Sequence, residues 1–234
     1  PLRILRLAQF QARLKGHGFM VHDQTTQLCR EMVARGDLDT LSRERVFKEL
    51  EKALSAPHPS EFFAVLASVN ALTLIFLGVE LTKTKNLDGP ATNTPPASRF
   101  SQLVLENPAL DLQDLNKQLA IPKAWLELAI MTRTWAEAFC QVTTLNADAI
   151  LAALERGDAR RKPMRFAQSV HISCQSLIID SAEQAAILRT WQRLVQETAK
   201  VTLPETASGL AGQDIKAMIR AEQLRRIEAT CDRN

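Results

Sequence analysis

The 234-residue chain is 46% hydrophobic and 24% charged, which excludes the disordered and membrane-spanning classes and is enough apolar material for a buried core. With no tyrosine and only 5% aromatic residues, a strand-rich fold is disfavoured, and the expected class is all-α, an elongated array of helices. A net charge of +3 supports no global argument for nucleic acid, so only local clusters of Arg and Lys bear on that question.

The first segment, Leu2 to Lys15, reads as a helix stopped by Gly16-His17-Gly18. A second runs from Thr25 to Arg35, with Asp23 as its expected N-cap. Ser42 is the expected cap of a helix over 43–56, where Val46, Leu50, Ala53 and Leu54 repeat at helical spacing. Pro57 and Pro59 end it. Ser60 is expected to cap the next helix, which carries Phe62, Phe63, Leu66 and Val69, and the apolar run Ala71 to Leu77 finishes at Gly78. The stretch KTKNLDGPATNTPPAS, 83–98, has neither helical nor strand periodicity and reads as a linker. Beyond it, helices are predicted at about 99–106, 111–120, 122–140, 147–156, 163–179, 182–200 and 214–228, with Pro122 and Pro163 in first turns.

Three basic groups stand out. On one helix Arg3, Arg6, Phe10 and Arg13 fall within an arc of roughly 80°, a stripe of guanidinium groups beside one ring. Such groups pair with base edges and phosphates or stack on bases, and the same pattern fits a solvated helix face. Arg156, Arg160, Arg161, Lys162 and Arg165 gather at a turn opposed only by Asp158, as a phosphate grip or as complements to helix dipoles. Lys216, Arg220, Arg225 and Arg226 form a third group diluted by acids.

Other chemistries lack a seat. Cys29, Cys140, Cys174 and Cys231 show no C-x-x-C spacing, which argues against zinc and dithiol motifs and fits a reduced, cytoplasmic chain. His22-Asp23 stands without further ligands at metal spacing, and no metal site is expected. There is no Gly-rich phosphate loop and no carboxylate pair beside a Gly-Ser turn. No 18-residue apolar run occurs, so no membrane partner is expected. The chain opens on Pro1 rather than Met, and a fragment is expected.

The opening PLRILRLAQFQARLKGHGF resembles the start of the neck in bacterial class II CCA-adding enzymes and their poly(A) polymerase relatives. The family pattern is Glu-Asp-x-x-Arg-x-x-Arg-x-x-x-Phe, and only its arginine half is present here. By that resemblance Arg3 is the arginine that, with the acidic partner, reads the Watson–Crick edges of CTP and ATP, and Arg6 and Phe10 continue the motif. CREMVARGDLDTLSRERVFKELEKAL is similar to the next neck motif, in which Glu44, Arg45 and Glu49 would brace the nucleotide-reading helix. PSEFFAVLASVNAL resembles the helix that follows.

Similarity returns at ERGDARRKPMRF, which resembles a tail segment of the Gram-negative members. It returns again at GQDIKAMI, where Gly212, Ile215 and Ile219 match a terminal helix. The resemblance implies a neck at 1–56, a body at 57–140 and a tRNA-binding tail at 141–234. Body and tail would hold the acceptor stem and TψC arm, with Arg160, Arg161, Lys162, Arg165, Lys216 and Arg220 as candidate RNA contacts. It implies CCA addition to tRNA by an intact parent using CTP, ATP and Mg²⁺, with the catalytic head absent from this chain. The phosphohydrolase domain of some members would also be absent, since SRFSQLVLENPAL contains no histidine. Poly(A) polymerase and a non-catalytic helical RNA-binding relic are the alternatives.

Overall fold

The computed structural model describes residues 1–89, 94–202 and 211–232, and among them the regular elements are all helical. They fall into two compact units, 1–133 and 134–234.

In the first unit α1 (Leu2–Leu14) packs against α3 (Arg43–Leu54) and α4 (Pro59–Ser68). The reason is the apolar stripe of α1: Ile4, Leu5, Ala8 and Ala12 are fully buried, and small alanines at two of the four sites let the helices approach closely. Phe62, Phe63 and Phe76 fill the space with edge-to-face contacts at 5.4–6.1 Å. α2 (Asp23–Ala34) lies between α1 and α3 in the chain, and α5 (Leu72–Ile75) and α6 (Leu81–Thr84) follow α4. Then follow α7 (Pro96–Glu106), α8 (Leu112–Gln118) and α9 (Lys123–Cys140), and the unit boundary falls within α9.

Helix ends in this unit are closed by both local and distant residues. α2 begins with His22 rather than Asp23 as its N-cap: His22 Nδ1 accepts from the Gln24 amide at 3.2 Å, and Asp23 becomes the first helical residue, where its charge suits the helix dipole. Ser42 does precede α3, but its side chain makes no capping bond. Pro59 opens α4 instead of ending α3, because proline's missing N–H costs nothing in a first turn. Ser60 therefore lies inside α4 and donates from both its amide (2.9 Å) and its hydroxyl (2.6 Å) to Asp88, so the cap arrives from 28 residues away.

That contact belongs to the stretch read as a linker. Several of its described residues are packed: Thr84 and Leu87 are buried, and the Gly89 amide donates to the Pro57 carbonyl at 2.9 Å. Residues 90–93 of the stretch lie outside the described residues. Arg99, only 2% exposed, donates to the carbonyls of Leu54, Ala56 and Gly89 and so closes the C-terminus of α3. Arg133 does the same for α7, donating to Val104, Asn107 and Leu110. Gly78, at φ 94°, sits where a Cβ would lie 2.6 Å from the Ala109 carbonyl oxygen, so only glycine fits.

The second unit contains α10 (Ala147–Arg156), α11 (Pro163–Ser176), α12 (Ser181–Ala199) and α13 (Gly212–Cys231). Its centre is a triad of rings, Phe139, Phe166 and Trp191, with centroids 5.1–5.7 Å apart. Trp191 Nε1 donates to the Phe139 carbonyl at 2.9 Å, which fixes the ring in place.

Candidate nucleic-acid interface

Because Ile4, Leu5, Ala8 and Ala12 turn inward, the opposite side of α1 exposes Arg3, Arg6, Phe10 and Arg13. The structure thus assembles the arginine stripe on one accessible face. Phe10 is 40% exposed, and the Arg13 guanidinium carbon lies 5.4 Å from its ring centroid, a cation–π pair. Glu49 of α3 is 3% exposed. Its Oε1 lies 2.8 Å from Lys52 Nζ and 4.0 Å from Arg6 Nε, and its Oε2 is buried with no hydrogen-bond partner.

Glu49 is thus brought beside the stripe. Glu44 and Arg45 are not: both lie exposed in the first turn of α3, and neither side chain bonds to α1 among the described residues. A groove of about 850 Å³ runs beside Arg6, Phe10, Arg13, Glu49 and Lys52. Lys52 escapes the sequence reading, although its i,i+3 spacing from Glu49 on a helix is an available signal.

In the second unit, α10 ends at Gly157, where a Cβ would lie 2.7 Å from both the Ala153 carbonyl oxygen and the Phe166 ring. Asp158 follows at φ 54° and turns the chain outward. That turn presents Arg160, Arg161 and Lys162 to solvent ahead of Pro163. Arg161 pairs with Asp158 at 2.7 Å, and this hydrogen bond holds the Asp158 carboxyl below its usual range and raises the guanidinium. Arg165 is half-buried and reaches the Gly157 carbonyl at 3.4 Å. A groove of about 550 Å³ lies between this turn, Thr198 of α12 and Gln223 of α13.

On α13 Lys216 is exposed, whereas Arg220 is engaged with Asp148 at 2.7 Å and Glu155 at 3.8 Å. Arg225 and Arg226 both bind Glu222, whose carboxyl their hydrogen bonds hold down at about 2. Four of the candidate RNA residues of this unit therefore separate into cations with no acidic partner among the described residues, Arg160 and Lys216, and cations already paired with acids, Arg161 and Arg220. Neither unit offers a metal seat: no group of three or more His, Cys, Asp or Glu side chains able to hold an ion occurs among the described residues.

A chain that presents arginines in this way can be set beside known proteins. Residues 18–81 match the family described as "Probable RNA and SrmB-binding site of polymerase A". Across 98% of its length the chain is 31% identical to the Multifunctional CCA protein of Pseudomonas putida, and across 96% it is 31% identical to the CCA-adding enzyme of Bordetella pertussis. Along nearly its whole length the chain is thus similar to CCA-adding enzymes. It spans 63% of the first of these relatives and 59% of the second.

Solved CCA-adding enzymes share its fold. One in complex with CTP aligns over 97% of this chain and 56% of its own, with a TM-score of 0.64 at 16% identity. The Thermotoga maritima CCA-adding enzyme complexed with tRNA aligns over 100% of this chain and 60% of its own, at a TM-score of 0.58 and 15% identity. None of the described helices is long and apolar enough to cross a membrane.

Proposed function

We propose that this chain supplies the nucleotide selection and RNA grip of a longer cytoplasmic protein that adds C, C and A to tRNA 3′ ends from CTP and ATP. The observation that carries this reading is the exposed arginine stripe of α1, with Arg6 beside the buried Glu49, in a chain similar to CCA-adding enzymes. Complexes of family members with CTP and with tRNA support it. In this reading Arg3 reads the Watson–Crick edge of the incoming nucleotide, since a planar guanidinium can donate two parallel hydrogen bonds. Arg6 and Glu49 keep the reading helix in place. Arg160, Arg161, Lys162 and Arg165, with Lys216 and Arg220 on α13, grip phosphates.

Attack of a 3′ hydroxyl on an α-phosphate calls for carboxylate-held Mg²⁺. The donors in the described residues do not fit that ion, so in this reading it is held by residues outside this chain, and no step of this chain runs through it. Supplying the full-length protein with tRNA lacking its terminus and with each nucleotide separately tests the reading. CMP incorporation is expected, and Arg3→Ala should lower kcat/KM for CTP and ATP by about 100-fold, the worth of one bidentate pairing with a base edge. The family description naming polymerase A favours a second reading, poly(A) addition. Incorporation of AMP alone, with CTP unused, would establish that reading instead. The isolated chain should transfer neither nucleotide, and detectable transfer by it would refute the division of labour.

A further inference from the structure

Cys140 closes α9 and Cys174 lies in α11, 34 residues later, yet their sulfurs are 3.5 Å apart. Both are free thiols. A disulfide spans about 2.05 Å between sulfurs, so the two Sγ atoms have only about 1.5 Å to close, a gap that rotation about their Cα–Cβ bonds acts on directly. The backbone is already held for it. Phe139, next to Cys140, contacts Phe166 of α11 at 5.1 Å, and its carbonyl accepts from Trp191, so the core keeps both sulfurs in register. Cys174 is fully buried and Cys140 half-buried, which leaves the pair open to a small oxidant from the Cys140 side.

We infer that Cys140 and Cys174 form a reversible oxidation site, closed to an intramolecular disulfide by a hydroperoxide and reopened by a dithiol. The chemistry balances. One sulfur attacks the peroxide oxygen, becoming a sulfenic acid as the O–O bond breaks and the alcohol or water leaves. The second sulfur then displaces hydroxide from the first, and that hydroxide departs as water with the remaining thiol proton. Two thiols lose two electrons and the peroxide gains them.

Local electrostatics separate the two roles. The S–H of Cys140 donates to Cys174, which favours the Cys174 thiolate and raises the Cys140 thiol; burial and the nearby Glu183 carboxylate oppose a second negative charge. Among the described residues Cys29 and Cys231 have no such neighbour, and burial raises both. This inference is independent of the RNA-binding reading.

The chain is treated with hydrogen peroxide, blocked with an alkylating agent and digested with trypsin without reduction. The expected product joins peptide 134–156 to peptide 166–189 at a mass about 2 Da below their sum, and dithiothreitol abolishes it. The same bond should raise the melting temperature of the second unit by about 5 °C or more, because it closes a long loop in the unfolded chain. Cys140→Ser should abolish both effects, and should that variant fail to fold, the peptide map of the unaltered chain decides alone. Sulfinic or sulfonic acid at Cys140 without the linked peptide, or links formed chiefly through Cys29 or Cys231, would overturn the inference.

Discussion

The two units use arginine in opposite ways. In the first, Arg99 and Arg133 turn inward, and Arg30 and Arg43 reach across to the Ser68 and Asn116 carbonyls, so guanidinium groups close the ends of helices. In the second, Arg161, Arg220, Arg225 and Arg226 stay outside and meet carboxylates. A helix C-terminus leaves carbonyls unsatisfied, and burying them without a donor costs far more than exposing an ion pair gains. Buried arginine is therefore architecture chiefly in the first unit, where Arg35 and Arg45 stay at the surface as the α1 stripe does, and in the second unit most arginines form an adjustable surface, with Arg165 reaching a helix-end carbonyl.

The sharpest way to break this comparison is Arg99→Ala. It strips donors from three carbonyls at once and should destabilise the first unit by roughly 3–5 kcal/mol. Urea melts followed by the fluorescence of Trp125 should show it, while Trp191, in the other unit, reports little change. A loss below about 0.5 kcal/mol would mean that water replaces the guanidinium and that these arginines are not architecture.

Next in size is Gly78→Ala, expected to cost about 2 kcal/mol from the left-handed backbone and the approach to Ala109. It should be read in the same melt, and an unchanged midpoint would show that the Ala109 loop yields.

The second unit should behave differently. Arg160→Ala with Arg161→Ala should shift its stability by less than about 0.5 kcal/mol. The same change should weaken tRNA binding and flatten its logarithmic salt dependence by about 1 for each phosphate that is no longer neutralised. Unaltered binding would remove the cluster from the proposed interface.

The smallest effect separates two carboxylates by pH. Burial acts to raise Glu61, but hydrogen bonds from Gln11 and Lys85 and the charge of Lys15 outweigh it and hold its carboxyl below the usual range. Glu222 is held at about 2 by Arg225 and Arg226. Both folded values are depressed, so each contribution is present above the ordinary carboxylate range and is lost as pH falls through the folded value. For Glu222 that window runs from the ordinary carboxylate range down to about 2. Exposed as its ion pairs are, high salt should erase its contribution, whereas that of half-buried Glu61 should persist. Melting Glu222→Gln and Glu61→Gln beside the parent chain at pH 6 and pH 3, with and without salt, checks the difference.

What can be read in the sequence follows the range of each interaction. Residues 147–156 read as a helix and form one, because apolar spacing and the flanking residues lie within a turn or two of each other. Asp180 caps α12 by accepting from the amides of Ala182 and Glu183, again a local bond. The stretch 83–98 misleads for the converse reason. Its polar residues resemble a linker, yet Asp88 is spoken for by Ser60 and Gly89 by Arg99, and no periodicity announces partners 28 and 10 residues away.

By itself the sequence determined that the chain is helical, where most helices lie, and that Arg3, Arg6, Phe10 and Arg13 share one face of α1, because helical spacing is local. Only the tertiary structure decided which carboxylate stands behind Arg6, which arginines are consumed in closing helices, and that Cys140 meets Cys174. Arg6 and Glu49, Arg99 and Leu54, and Cys140 and Cys174 lie 34 to 45 positions apart in the chain, and packing of the apolar faces, rather than any local preference, brings them together.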